Sequence, residues 1–135
     1  MRKNPLGLMC LLVVALALMA GGVGMAYAQT GVLDGKSFQG EFGKKGKAAH
    51  AQDELIFKGG RFRSTACDPY EFGDAPYTTK VDGDTIAFEA ETVSAKNGKI
   101  KWMGTVKGNK VEAVFTWFSS GNPPEESWIK GDLKK

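Results

Sequence analysis

The stretch Lys99–Phe118, KIKWMGTVKGNKVEAVFTWF, holds two alternating runs about a Gly108-Asn109 centre. A hairpin pairs residues whose numbers have a constant sum. A two-residue turn here therefore sets Val106 opposite Val111, Gly104 opposite Ala113, Trp102 opposite Phe115 and Ile100 opposite Trp117. Lys101, Lys107, Lys110 and Glu112 fall together on the other face. Both arms sort in the same way, as a half-buried antiparallel pair must.

Working outward, no apolar pattern of helical period lasts three turns after residue 30. Short alternating segments separated by Gly, Asn, Asp and Pro recur instead. They fall near 36–43, 53–58, 61–66, 76–81, 85–95, 99–107, 110–118 and 126–133. The fold class is all-β, an eight-stranded antiparallel up-and-down meander.

Turn geometry sets the expected registers. A Gly59-Gly60 turn pairs Phe57 with Phe62 and Leu55 with Ser64. An Asp82-Gly83 turn pairs Tyr77 with Phe88 and points Tyr77 inward. A three-residue Lys96-Asn97-Gly98 loop pairs Phe88 with Val106 and Ala90 with Gly104. A five-residue loop around Gly121-Asn122-Pro123-Pro124 turns Ile129, Gly131 and Leu133 inward and Trp128, Lys130 and Asp132 outward.

The inner face then carries Phe38, Phe42, Leu55, Phe57, Phe62, Ile86, Phe88, Ile100, Trp102, Val106, Val111, Phe115, Trp117, Ile129 and Leu133. Inward Gly40, Gly104 and Gly131 mark tightly curled strands that need a missing side chain. An open meander would leave two unpaired edges, so the first and last strands are expected to close into a small barrel. A two-layer sandwich is the alternative.

The chain opens with Arg2-Lys3, continues through the apolar run Leu11–Ala20 and reaches Ala26-Tyr27-Ala28. That order is a secretory signal peptide over 1–28, leaving 29–135 as one small domain. Cys10 adjoins the apolar run and follows Leu8 and Met9, which is not a lipidation context. The expected localisation is exported, periplasmic or extracellular. Removing 28 residues from 135 leaves 107, and removing Arg2 and Lys3 from the 18 basic residues leaves 16 against 15 acidic ones. A nearly neutral domain does not point to nucleic acid. An outward face of Lys, Glu and Thr argues against stable membrane insertion as an outer-membrane barrel, which needs apolar residues outside.

The endings Trp102-x-Gly104-x-Val106 and Trp128-x-x-Gly131-x-Leu133 on a meander of this size resemble the lipocalin-like, calycin-type class of small exported β-barrels. The pattern is also similar to short secreted bacterial proteins of unknown function. Gly35-Lys36-Ser37-Phe38 carries Phe where the lipocalin signature has Trp. The resemblance implies an apolar ligand held in the barrel.

The segment Cys67–Tyr77, CDPYEFGDAPY, gathers the remaining chemistry. Pro69 and Pro76 stiffen it, and Tyr70 and Phe72 are placed to fold over a barrel end as a lid, with the phenols of Tyr70 and Tyr77 at its mouth. Asp68, Glu71 and Asp74 recur every third residue without the spacing of a calcium loop. Counting from Phe62 puts Cys67 on the outward side, and the run Gly43–His50 reads as a mobile basic connection. With one histidine and one cysteine after the leader, neither a zinc site nor a nucleophile-base-orienter set can be assembled, so no cofactor, no metal and no enzyme are expected. The expected function is non-enzymatic binding of a small apolar or aromatic ligand in the barrel. The alternative is a protein–protein interaction or inhibitor module acting through 67–77. The candidate ligand-binding residues are Tyr70, Phe72, Tyr77, Phe88, Trp102 and Trp117.

Overall fold

The Gly108-Asn109 hairpin forms with the expected register, Trp102 facing Phe115 and Ile100 facing Trp117. It belongs to a computed structural model that describes residues 31–135; the expected leader, 1–28, lies outside the described residues. Eight strands follow in order: β1 (Ser37–Lys44), β2 (Ala51–Lys58), β3 (Arg61–Ser64), β4 (Asp74–Asp82), β5 (Thr85–Ser94), β6 (Gly98–Lys107), β7 (Lys110–Phe118) and β8 (Glu125–Leu133). Each pairs antiparallel with the next, and β8 pairs with β1, so the meander closes into a barrel. The sandwich alternative is excluded.

Closure depends on two glycines. Gly40 of β1 and Gly131 of β8 are direct partners across the seam. A Cβ on Gly131 would lie 2.6 Å from the Gln39 carbonyl oxygen, and one on Gly40 would lie 2.5 Å from that of Lys130. Side chains at either position would force the seam apart.

Two registers differ from expectation by two residues. Between β4 and β5 the turn is Gly83-Asp84, not Asp82-Gly83, and Tyr77 faces Ala90 while Thr79 faces Phe88. Gly83 at the first central position, with φ 62°, supplies the positive φ that a tight hairpin requires there. Between β5 and β6, Ser94 pairs with Gly98 and Phe88 with Gly104, so the loop is Ala95–Asn97. The Ser94 hydroxyl accepts a hydrogen bond from the Asn97 N–H at 3.1 Å, which closes the loop one residue early. Both slips are even, so the inward and outward faces are unchanged.

The interior is filled. Phe57 is edge-on or tilted to Phe38, Phe62, Tyr77 and Phe88 at 5.0–6.1 Å between ring centres. Phe62 packs on Trp102, and Trp102 stacks on Phe115 at 4.4 Å. The Trp102 indole N–H donates to the buried Thr92 hydroxyl at 3.2 Å, so its polar edge is satisfied. Of the expected inner face, Phe42, Ile86, Phe115 and Leu133 are only partly buried, and Trp117 is 37 % exposed at a barrel end.

The two ends differ. The two-residue turns lie at one end, together with a turn formed by residues 31–35. Leu33 of that turn is fully buried and plugs the barrel floor. The Tyr77 hydroxyl holds it there, donating to Asp34 Oδ1 at 2.8 Å and accepting from the Leu33 N–H at 3.0 Å. Asp34 also accepts the Gly60 N–H at 2.9 Å. The Tyr77 phenol therefore points away from the lid it was expected to join. Burial and the neighbouring Asp34 push it up to about 12. Tyr77→Phe leaves the buried Leu33 N–H without an acceptor, and a stability loss of about 1–3 kcal/mol is expected in denaturant titration. Faster amide exchange at Leu33 accompanies it; an unchanged midpoint contradicts the plug.

The longer connections, 45–50, 65–73, 95–97 and 119–124, gather at the opposite end, which forms the mouth.

Candidate functional site: the barrel mouth

β3 ends earlier than its pattern suggests because the chain turns at Thr65 into a 3₁₀ turn, Thr65–Tyr70, that leans over the mouth. Asp53 on β2 draws it there. Its Oδ1 accepts the Ala66 N–H at 2.9 Å and its Oδ2 accepts the Ser64 hydroxyl at 2.5 Å. A cap usually comes from the residue preceding the turn, but Ser64 makes no such bond, and Asp53 supplies it from the adjacent strand. Arg63 fixes the outer side of the turn by bonding Asp68 through its Nε and Nη2, the latter at 2.5 Å.

A strap crosses from the other side. Trp117 Nε1 donates to the Asn97 carbonyl at 2.6 Å, and Asn97 Nδ2 donates to the Tyr70 carbonyl at 2.8 Å. Lys96 pairs with Glu71 at 3.5 Å. Glu71 takes a left-handed φ of 68°, unusual for a residue with a side chain, and turns the chain so that Phe72 drops into the core.

Beneath the strap lies a cavity of about 430 Å³. Aromatic groups from Phe42, Tyr70, Phe115 and Trp117 wall it, and Asp53 and Cys67 reach it from the side. Lys44 and Glu125 stand at its rim, paired at 2.7 Å, and the exposed His50 ring packs edge-on to Phe42. A broader depression of about 760 Å³ lies on the outside of β4–β8 near Met103, Val114 and Trp128. That one spreads over the outer surface of the sheet, whereas the mouth combines aromatic walls with a buried carboxylate, as small-molecule sites do.

The six expected ligand residues divide. Tyr70, Phe72 and Trp117 line the mouth. Tyr77, Phe88 and Trp102 are fully or almost fully buried in the packed interior and do not line it. Tyr70 is 60 % exposed and Phe72 is 5 % exposed, so the two lid aromatics face opposite ways.

Cys67 is not outward. The 3₁₀ turn carries it back against the core, where burial pushes its thiol up to about 11. The three acids of the segment are engaged by cations of this chain: Asp68 by Arg63, Asp74 by Arg61 and Glu71 by Lys96. The basic connection 45–50 is also tied down, since Lys45 pairs with Glu126 and the Trp128 indole donates to the Lys47 carbonyl at 2.9 Å.

Asp53 is the residue that sequence reasoning passed over. It shares the parity of Leu55 and Phe57, so the alternation of β2 itself points it inward. It is 3 % exposed, and among the described residues no cation is bridged to it. Burial raises its pKa above the usual 3.8, against the lowering effect of the Ser64 and Ala66 hydrogen bonds. The folded state thus holds this proton more tightly than the unfolded chain. Its contribution to stability is full below the ordinary Asp value and is lost as pH rises through the folded-state pKa. The stability difference between wild type and Asp53→Asn, followed by urea titration across pH, is expected to tilt toward Asn with rising pH; a flat difference removes the effect.

No family model, no curated protein and no solved structure matches this chain.

Proposed function

We propose that the protein is a non-enzymatic binder that holds a small apolar or aromatic molecule at the barrel mouth, in the manner of the small exported lipocalin-like barrels it resembles. The observation supporting this reading is the aromatic-walled cavity of about 430 Å³ beneath the strap, within the range for small-molecule sites. The interior is filled by its own rings, which supports a site at the mouth over one in the barrel centre. A partner-binding reading of 67–77 rests on the 60 % exposure of Tyr70.

Trp117 walls the cavity with a ring that is 37 % exposed, and its indole N–H holds the strap through the Asn97 carbonyl. Trp117→Ala is expected to weaken calorimetric binding of phenethyl alcohol by about tenfold or more, measured at a temperature where both proteins are folded, whereas Trp117→Phe, which loses only the strap bond, keeps most of the affinity. The same alcohol should slow alkylation of Cys67 in the native protein. Equal affinity of wild type and Trp117→Ala overturns the mouth as the site.

A further inference from the structure

A carboxylate on the inward face of a barrel is costly to bury as an anion without a counter-charge. Asp53 has hydrogen-bond donors in Ser64 and Ala66, and one of its oxygens also lies 3.4 Å from the Thr65 hydroxyl. Those donors hold the carboxyl group in place without neutralising it. Arg61 and Arg63 are committed to Asp74 and Asp68 on the exterior, and Lys44 is committed to Glu125 at the rim. The cavity therefore has aromatic faces, an unneutralised acid and no cation directed at that acid. Aromatic faces attract cations through their ring quadrupoles, and a buried carboxylate supplies the opposing charge.

We propose that the mouth selects small amines: a protonated ammonium group meets Asp53 while an aromatic or branched apolar body lies against Trp117, Phe115 and Phe42. This rests on the mouth being a ligand site and adds the charge of the ligand. The amine binds the ionised form of Asp53. Burial shifts the free carboxyl toward its protonated form relative to an exposed Asp, and an ammonium group opposes that shift, so amine binding is linked to proton release. Cys67 on the 3₁₀ turn, His50 and Lys44 from the β1–β2 side and Glu125 on β8 are the other titratable groups facing the cavity. Of these, Glu125 is the competing carboxylate.

The test compares phenethylamine, phenethyl alcohol and phenylacetate, which share a ring and differ chiefly in charge, by calorimetry on the folded protein. The amine is expected to bind about tenfold or more tightly than the alcohol, and phenylacetate more weakly than both. Asp53→Asn should abolish the preference for the amine and keep alcohol binding, whereas Glu125→Gln should keep the preference. Should Asp53→Asn fail to fold, the wild type still decides: the amine's advantage must grow as pH rises above the ordinary Asp value of 3.8, and an advantage that stays constant from there upward overturns the proposal. Equal binding of amine and alcohol, or a preference that follows Glu125, overturns the amine inference alone. Absence of binding by all three overturns the mouth reading with it.

Discussion

Trp102→Ala is expected to remove about 3–5 kcal/mol of stability, enough to unfold much of the population at physiological temperature in a domain of this size. Trp102 is fully buried, stacks on Phe115 at 4.4 Å, packs on Phe62 at 4.9 Å and gives its indole N–H to Thr92. Truncation empties the volume between the packed interior and the mouth, and it leaves the buried Thr92 hydroxyl without its donor. The rigid β-strands around it cannot collapse to fill the space. Denaturant titration by far-ultraviolet circular dichroism measures the loss. A loss below about 1 kcal/mol would mean that the interior is not packed as described.

Gly131→Val carries the second large effect, through closure and not through packing volume. The added Cβ meets the Gln39 carbonyl oxygen at 2.6 Å and the Gly40 Cα at 2.8 Å, both backbone atoms of the facing strand, which cannot rotate away. Overpacking commonly costs about 1–3 kcal/mol, and here the strain falls on the seam that converts a sheet into a barrel. Parting β8 from β1 exposes two strand edges, so aggregation on heating is expected beside the lower melting temperature. Gly121→Val, in the exposed 119–124 connection, is a less informative comparison because Gly121 has a φ of 77°. Lys130→Val on the same strand, outward and exposed, is the suitable control. Equal effects of Gly131→Val and Lys130→Val would contradict the closure.

Much of this architecture was legible in the sequence for a specific physical reason. Side chains alternate with a period of two, so any odd slip of a hairpin would have set lysines against phenylalanines, and the Gly59-Gly60 and Gly108-Asn109 registers could be read outright. Even slips preserve the faces. The pairings of Phe88 with Thr79 and with Gly104 were therefore displaced by two residues without any conflict in the pattern.

The same alternation placed Asp53 inward beside Leu55 and Phe57, but an acid at a strand end reads as solvated until the 3₁₀ turn that it caps is known. The floor was not legible. Leu33 and Asp34 find Tyr77 more than forty residues away, and nothing local in a short turn announces such a partner. Strand parity puts Cys67 on the outward face, but parity ends where the chain leaves the strand at Thr65. Of the six aromatics expected to touch a ligand, Tyr77, Phe88 and Trp102 do point inward, but inward position alone does not bring ligand contact. In a barrel filled by its own rings, only the inward residues nearest an end face a void.

The three indole N–H groups give the most direct test of where this barrel binds, since each reports a different place. Trp102 lies in the core against Thr92, Trp117 lies at the mouth against Asn97, and Trp128 lies outside against Lys47. In a proton–nitrogen correlation spectrum titrated with phenethylamine, the largest saturating shift is predicted for Trp117, with smaller changes at Trp102 and Trp128. A largest shift at Trp128, or no saturating shift at Trp117, would contradict binding at the mouth.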